Sequence, residues 1–313
     1  MSAEREMLRQ TVASLVDRYA SSQAVRRAMA SDCGYDESLW ALLCDQVGAT
    51  ALVVPEELGG AGGQLGDAAV VFEELGRALA PTPLWGSTLA ELALLAADQP
   101  DADALAALAG GTSIGAVVFD PDHVIHGDAA DVVIAVRDGR IERWTQVEAE
   151  PLVPLDPTRR LARLRPGQTE VIGRDPGLAD TAAILLAAEQ IGAAARCLQL
   201  TVDYTKQRVQ FGRPIGSFQA LKHRLADLYV SVQTARAAVG DAVDAPGPTT
   251  AALARLAATE AFCAVAGEAI QMHGGIAITW EHDIQLYFKR AHSSARLLAA
   301  PTDVLRSLES QAL

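Results

Sequence analysis

Two short stretches hold the residues whose types and spacing suit chemistry. The first is Arg208-Val209-Gln210-Phe211-Gly212-Arg213-Pro214-Ile215-Gly216-Ser217-Phe218-Gln219-Ala220-Leu221-Lys222-His223. Helical patterning runs into Arg208 and resumes after Ser217, a residue type that caps helix N-termini by accepting a backbone N–H. Arg208 and Arg213 therefore flank a Gly/Pro turn beside the start of a helix, where free N–H groups and the helix dipole favour an anion. A diphosphate clasp fits that arrangement, and so does an ordinary helical hairpin with solvated arginines. The second stretch is Gln271-Met272-His273-Gly274-Gly275-Ile276-Ala277-Ile278-Thr279-Trp280-Glu281. Its paired glycines follow a long helix and serve either as a plain C-cap or as a place where a bound group approaches the backbone closely.

Other chemistries have less support. Cys33, Cys44, Cys197 and Cys263 form no Cys-x-x-Cys spacing, so neither a disulfide framework nor a zinc site is indicated. His123, His126, His223, His273, His282 and His292 include no His-x-x-x-His pair. Gly59 to Gly63 match neither phosphate-loop pattern and are expected to form a turn. Ser293 and Ser294 stand beside His292, but no carboxylate is placed to orient that imidazole for nucleophilic work. Twenty-six basic residues against 39 acidic ones give a net charge of −13, a field that repels nucleic acid and anionic lipid, so neither is an expected partner. The first twenty residues carry charge throughout, unlike a signal peptide, and the apolar runs are interrupted before they reach membrane-spanning length, so the chain is expected to be soluble and cytoplasmic.

The elements that must position these residues are legible from periodicity. Leu8, Val12, Leu15, Val16 and Tyr19, then Leu39, Leu42, Leu43 and Val47, recur at helical intervals, with Asp36 as N-cap and Gly48 as stop for the second set. Further helices are expected at about 66–79, ended by Pro81 and Pro83, and at about 86–97. Short β-type runs follow at 114–119, 132–136 and 140–144, with Asp138-Gly139 as a hairpin signal. Helical spacing returns at 179–207, 217–243 and 249–272, with shorter helical pieces after 281. The expected organisation is a helical N-terminal domain at 1–111, a small β module at 112–177 and a C-terminal helical bundle at 178–313.

Taken in order, RVQFGRPIGSFQALKHRLADLY at 208–229 and QMHGGIAITWEHDIQLYFKRA at 271–291 resemble the acyl-CoA dehydrogenase family, supported by VPEELGGAGG at 54–63 and EELGRALAP at 73–81. The resemblance implies a mostly α fold: a helical N-terminal domain, a middle β domain and a C-terminal four-helix bundle, assembled as dimers or dimers of dimers. It also implies FAD at a subunit interface, with the adenosine-diphosphate end held largely by the neighbouring subunit. Carried over residue by residue, the cofactor-binding set is Arg208, Gln210, Phe211, Gln219, Gln271, Met272, His273, Gly274 and Gly275.

The departures are equally informative. Counting from Gly274 to the family's catalytic Glu lands on Leu298, and the alternative position near the start of the first long C-terminal helix is Ala182. Asp180 lies two positions from that second site as a weak candidate base, with a helix N-cap as its plainer role. Glu189, two turns on, is expected to pack or to serve an interface. The β module is also short, although HGDAADVVIAV at 126–136 resembles the family's strand entering it. The resemblance thus implies a degenerate subunit of an α2β2-type acyl-CoA dehydrogenase, completing the FAD site of a larger homologous subunit. The complex would act on an acyl-CoA, by analogy a bulky steroid-type one, and pass electrons to an electron-transfer acceptor. Two alternatives stay open: a homomeric enzyme with Asp180 or Glu281 as relocated base, and a scaffold that keeps only the helical bundle.

Overall fold

The computed structural model describes residues 2–312. Six helices come first: α1 (Ala3–Tyr19), α2 (Ser22–Met29), α3 (Glu37–Leu42), α4 (Leu65–Arg77), α5 (Leu84–Leu95) and α6 (Ala102–Ala109). Their ends are set by side chains that satisfy otherwise unpaired N–H groups. Ser2 accepts from the Arg5 N–H at 3.2 Å, and Asp36 accepts from the Leu39 N–H at 3.0 Å. Gly48, left-handed at φ +64°, ends the π-helical turn that extends α3, as its sequence position suggested. α6 was not anticipated; Asp101 caps it, and its Ala-rich sequence lacks a strong amphipathic pattern.

Seven strands follow: β1 (Gly115–Val118), β2 (Val124–Ile125), β3 (Val132–Arg137), β4 (Arg140–Thr145), β5 (Glu148–Leu152), β6 (Leu161–Arg165) and β7 (Gln168–Arg174). One sheet runs β1-β3-β4-β7 with β1 and β3 parallel; a second runs β2-β6-β5. Asp138 and Gly139, at φ +49° and +71°, make the two-residue turn between β3 and β4 that the sequence signalled. β5 and β7 were hidden from pattern analysis because they bury almost nothing, so hydrophobic alternation is absent.

The remainder comprises α7 (Leu178–Gln207), the hairpin strands β8 (Val209–Gln210) and β9 (Arg213–Pro214), α8 (Gln219–Asp244), α9 (Pro248–His273), α10 (Ile284–Ser294) and α11 (Pro301–Ala312). α7, α8, α9 and α10 form the four-helix bundle, with α7 and α9 at its centre. α7 also packs on α4 through two glycines. A Cβ at Gly76 would lie 2.1 Å from the Glu189 carbonyl oxygen, and one at Gly192 1.8 Å from that of Glu73. This close approach carries one apolar core from the N-terminal helices into the first half of α7. A second core joins the latter half of α7 to α8, α9 and α10.

Two sequence expectations change. Ser217 is not the cap of α8: Phe218 occupies that position, and the Ser217 hydroxyl donates to the Pro214 carbonyl at 2.6 Å, closing the turn instead. α7 and the stretch 248–278 are also long and apolar enough to pass for membrane spans by length and composition. Their burial against each other, with Glu189, Gln190 and Arg255 inside, matches the core helices of a packed bundle.

Candidate cofactor-binding face

α7 ends at Gln207, with the Tyr204 carbonyl accepting the Arg208 N–H at 2.8 Å; the Arg208 carbonyl in turn accepts the Ile215 N–H at 2.8 Å. Between these anchors β8 and β9 form a two-residue hairpin turned by Phe211 and Gly212, both left-handed at φ +53° and +76°. Left-handed backbone suits glycine but is strained for an aromatic residue. The turn holds the Phe211 ring 92% exposed, edge-on to Phe218 at 6.2 Å, while the Arg213 guanidinium lies 3.9 Å from the Phe218 centroid. Arg208, Gln210 and Gln219 are exposed, and among the described residues neither Arg208 nor Arg213 forms an ion pair.

The second turn lies against the first. Tyr204 donates its hydroxyl to the His273 carbonyl at 3.2 Å and stacks on the His273 ring at 4.2 Å, which ties the end of α9 to the end of α7. Gly274 follows at φ +65°, and a Cβ at Gly274 or Gly275 would meet nothing within 4 Å, so the backbone there faces open space. Gln271 is exposed beside it. Met272 and His273 are not: both are buried. The His273 Nδ1–H donates to the Ala269 carbonyl at 2.8 Å, and burial lowers the imidazole's pKa, which favours the neutral ring. Its Nε2 has no hydrogen-bond partner among the described residues.

The structure thus brings both sequence-nominated stretches onto one face. It presents the side chains of Arg208, Gln210, Phe211, Gln219 and Gln271 and the backbone at Gly274 and Gly275, while Met272 and His273 shape the turn from beneath. Two unpaired guanidinium groups, three amides and a bare glycine backbone suit the phosphates of a dinucleotide such as FAD. Among the described residues none encloses the exposed Phe211 ring.

The carboxylates lie elsewhere. Asp180 is in the first turn of α7 and Arg208 is its C-cap, about 40 Å away along a 30-residue helix. Asp180 is not the cap either, because Asp175 accepts the Gly177 and Leu178 N–H groups at 3.0 and 2.9 Å. Burial and the neighbouring Asp175 raise the Asp180 pKa. Ala182 is fully buried in the core. Leu298, left-handed at φ +67°, lines a cavity of about 510 Å³ between the β-strands and the segment after α10. Glu281 is exposed in the turn before α10.

Glu189 is the carboxylate with the most elaborate surroundings, and these were invisible in the sequence. Both its oxygens accept from Arg159 Nη2 at 2.8 Å, and Arg290 Nη1 donates to it as well. Arg290 also donates to the Asp156 carboxylate and, at 3.0 Å, to the Thr158 carbonyl; Arg159 donates to the Ser294 hydroxyl at 2.9 Å. The partners come from α7, α10 and the loop between β5 and β6, so no short spacing signals the cluster. It fits the packing role expected of Glu189, both of whose oxygens are engaged by buried guanidinium groups that favour the ionised form. Beside it, His126 is fully buried at φ +50° with neither ring nitrogen partnered among the described residues, and burial lowers its pKa to about 3.

Comparison with known proteins places this geometry in a lineage. The acyl-CoA dehydrogenase N-terminal domain family matches residues 2–109 and the acyl-CoA dehydrogenase C-terminal domain family matches residues 178–308. Acyl-CoA dehydrogenase IpdE2 of Mycobacterium tuberculosis is 69% identical over 98% of this chain and 97% of its own length. Its namesake in Mycolicibacterium smegmatis is 63% identical over 99% of each. Among solved structures, the ChsE4-ChsE5 complex from Mycobacterium tuberculosis superposes with a TM-score of 0.88 at 25% identity, covering 100% of this chain and 98% of that one. A Tcur3481-Tcur3483 steroid ACAD variant superposes with a TM-score of 0.88 at 26% identity, covering 98% and 97%. Two family matches flanking the β-strands, and relatives aligned from end to end, make the chain a member of the acyl-CoA dehydrogenase family.

Proposed function

We propose that this chain is the non-catalytic subunit of a heteromeric acyl-CoA dehydrogenase and that it completes the FAD site of a larger homologous subunit. The observation that carries the proposal is a division within one chain. The phosphate-binding face is intact and open to solvent, whereas the two positions at which the family resemblance places a catalytic carboxylate hold Leu298 and Ala182. Two solved structures that superpose on it carry paired names, one described as a complex and the other as a steroid ACAD, which supports both the heteromer and a bulky CoA thioester substrate.

In this role Arg208 and Arg213 neutralise the diphosphate, Gln210, Gln219 and Gln271 donate or accept at the nucleotide's polar groups, and the Gly274-Gly275 backbone allows close approach. Phe211 covers the nucleotide and excludes water. Bound FAD supplies the two-electron acceptor that α,β-dehydrogenation of an acyl-CoA requires. The α-proton is taken by a carboxylate of the partner, since abstraction needs a base within hydrogen-bond reach of that carbon. Co-expression with each adjacent homologue tests the proposal. In the complex that copurifies, Arg208→Ala in this chain is expected to cut flavin content at least severalfold while leaving the complex assembled on size exclusion. Unchanged flavin in that variant would refute the clasp.

A further inference from the structure

We propose that the small cavity lined by His126 and Trp85 binds a monatomic anion, chloride in ordinary buffers, which pins the β-strands to the helices around them. This goes beyond the proposed function and uses no residue of the FAD clasp. The cavity measures about 30 Å³ and is walled by Phe72 of α4, Trp85 of α5, His126 just after β2, Arg159 between β5 and β6, Glu189 of α7 and Arg290 of α10. Small-molecule sites run to several hundred Å³, so this one has room for one or two particles of water's size and for nothing larger. Its polar lining is unanswered. The Trp85 indole N–H and both His126 ring nitrogens have no hydrogen-bond partner among the described residues, although Trp85 is only 7% exposed and His126 2%. Buried polar groups in that condition cost free energy until a ligand, ion or water meets them. A neutral imidazole carries one N–H, so the cavity offers two N–H donors and one acceptor nitrogen. An anion takes the two donors, and a water in the remaining space donates to the bare nitrogen.

The surrounding charge selects the anion over water alone. Arg159, Arg290 and Arg255 are all buried, and the buried carboxylates beside them are Asp156 and Glu189, which leaves one positive charge in excess. Arg290 takes Asp156 and shares Glu189 with Arg159. Arg255 forms no ion pair among the described residues; it donates to Gln190, Thr259 and the Ser294 and Leu297 carbonyls. Asp128 is occupied by Arg160 at 2.7 Å. At His126 itself, burial chiefly and then Arg159, Arg160 and Arg290 disfavour the protonated ring, with Asp128 alone opposing them, so the ring stands neutral in a positive field. Water would satisfy the N–H groups but leave that excess charge uncompensated in the interior. A chloride meets both needs, and it does so where α4, α5, α7 and α10 converge on the β-strand segment.

Melting the full-length chain in rising sodium chloride, with sodium gluconate holding ionic strength fixed, tests this. With a dissociation constant of about 10 mM, about 200 mM chloride should raise the melting temperature by about 3 °C, saturably. Trp85→Phe removes the N–H but keeps a ring against Phe119, and should raise the chloride midpoint about tenfold, the scale of one hydrogen bond to a charged group. Crystals of the unaltered chain grown in sodium bromide give a reading that needs no variant: an anomalous peak is expected in contact with Trp85 Nε1 and a His126 ring nitrogen. No melting shift at fixed ionic strength, a shift that Trp85→Phe leaves unchanged, or no bromide peak in this cavity would each overturn the proposal.

Discussion

Phe211 sits in a backbone conformation that a two-residue hairpin normally gives to asparagine or glycine, and it does so with its ring almost wholly in solvent. Local strain of that kind persists when the side chain has work to do elsewhere. Phe211→Asn should therefore hold or raise the thermal stability of the chain while lowering the flavin retained by its complex, a separation visible in paired melting and absorbance measurements. Glu189 makes a contrasting case, because it answers two buried guanidinium groups. Glu189→Gln leaves Arg159 and Arg290 undercompensated and should cost about 3–5 kcal/mol in urea unfolding. His126 adds a pH signature. Its folded pKa of about 3 lies below the ordinary value of 6.5, so the unfolded chain binds the extra proton. Its contribution is complete above pH 6.5 and is lost progressively as pH falls toward 3. Between pH 7 and pH 5 that amounts to about 2 kcal/mol, and His126→Asn, which suits the left-handed backbone, should flatten this part of the stability profile.

At the scale of elements, α7 is the member on which the others depend: it packs on α4 through Gly76 and Gly192, passes through the bundle centre, and ends at Arg208 and the hairpin of the proposed clasp. Gly192→Ala would place a methyl group 1.8 Å from the Glu73 carbonyl oxygen. A loss of at least about 1–3 kcal/mol is expected from the forced separation of the two helices, readable as a lower melting temperature. Much of this level was legible in the sequence. Helical spacing located α7, α8 and α9 to within a few residues, and Asp36, Gly48 and Asp138-Gly139 acted as their types suggest. The failures have separate local causes. β5 and β7 bury too little to alternate, Ser217 was drawn into closing a turn, and α7 is capped by Gly177, with Asp175 rather than Asp180 accepting the first N–H groups. The Arg159, Arg290, Asp156 and Glu189 cluster is assembled from three segments, with 30 residues between Arg159 and Glu189 and 101 between Glu189 and Arg290, which no local pattern encodes.

For the whole molecule, the central claim is that one chain contributes a grip on a dinucleotide while leaving the proton-abstracting group to another. The proposed clasp was nominated from resemblance, and it is consistent with two turns brought onto one face by the Tyr204–His273 contact, with none of the described residues enclosing Phe211. The most direct measurement is flavin stoichiometry and acyl-CoA-dependent acceptor reduction, made on the purified chain alone and on its complex with the larger homologue. The account predicts a colourless, inactive chain and a complex with one FAD per pair of unlike subunits that reduces the acceptor. A yellow, active assembly built only from copies of this chain would contradict it.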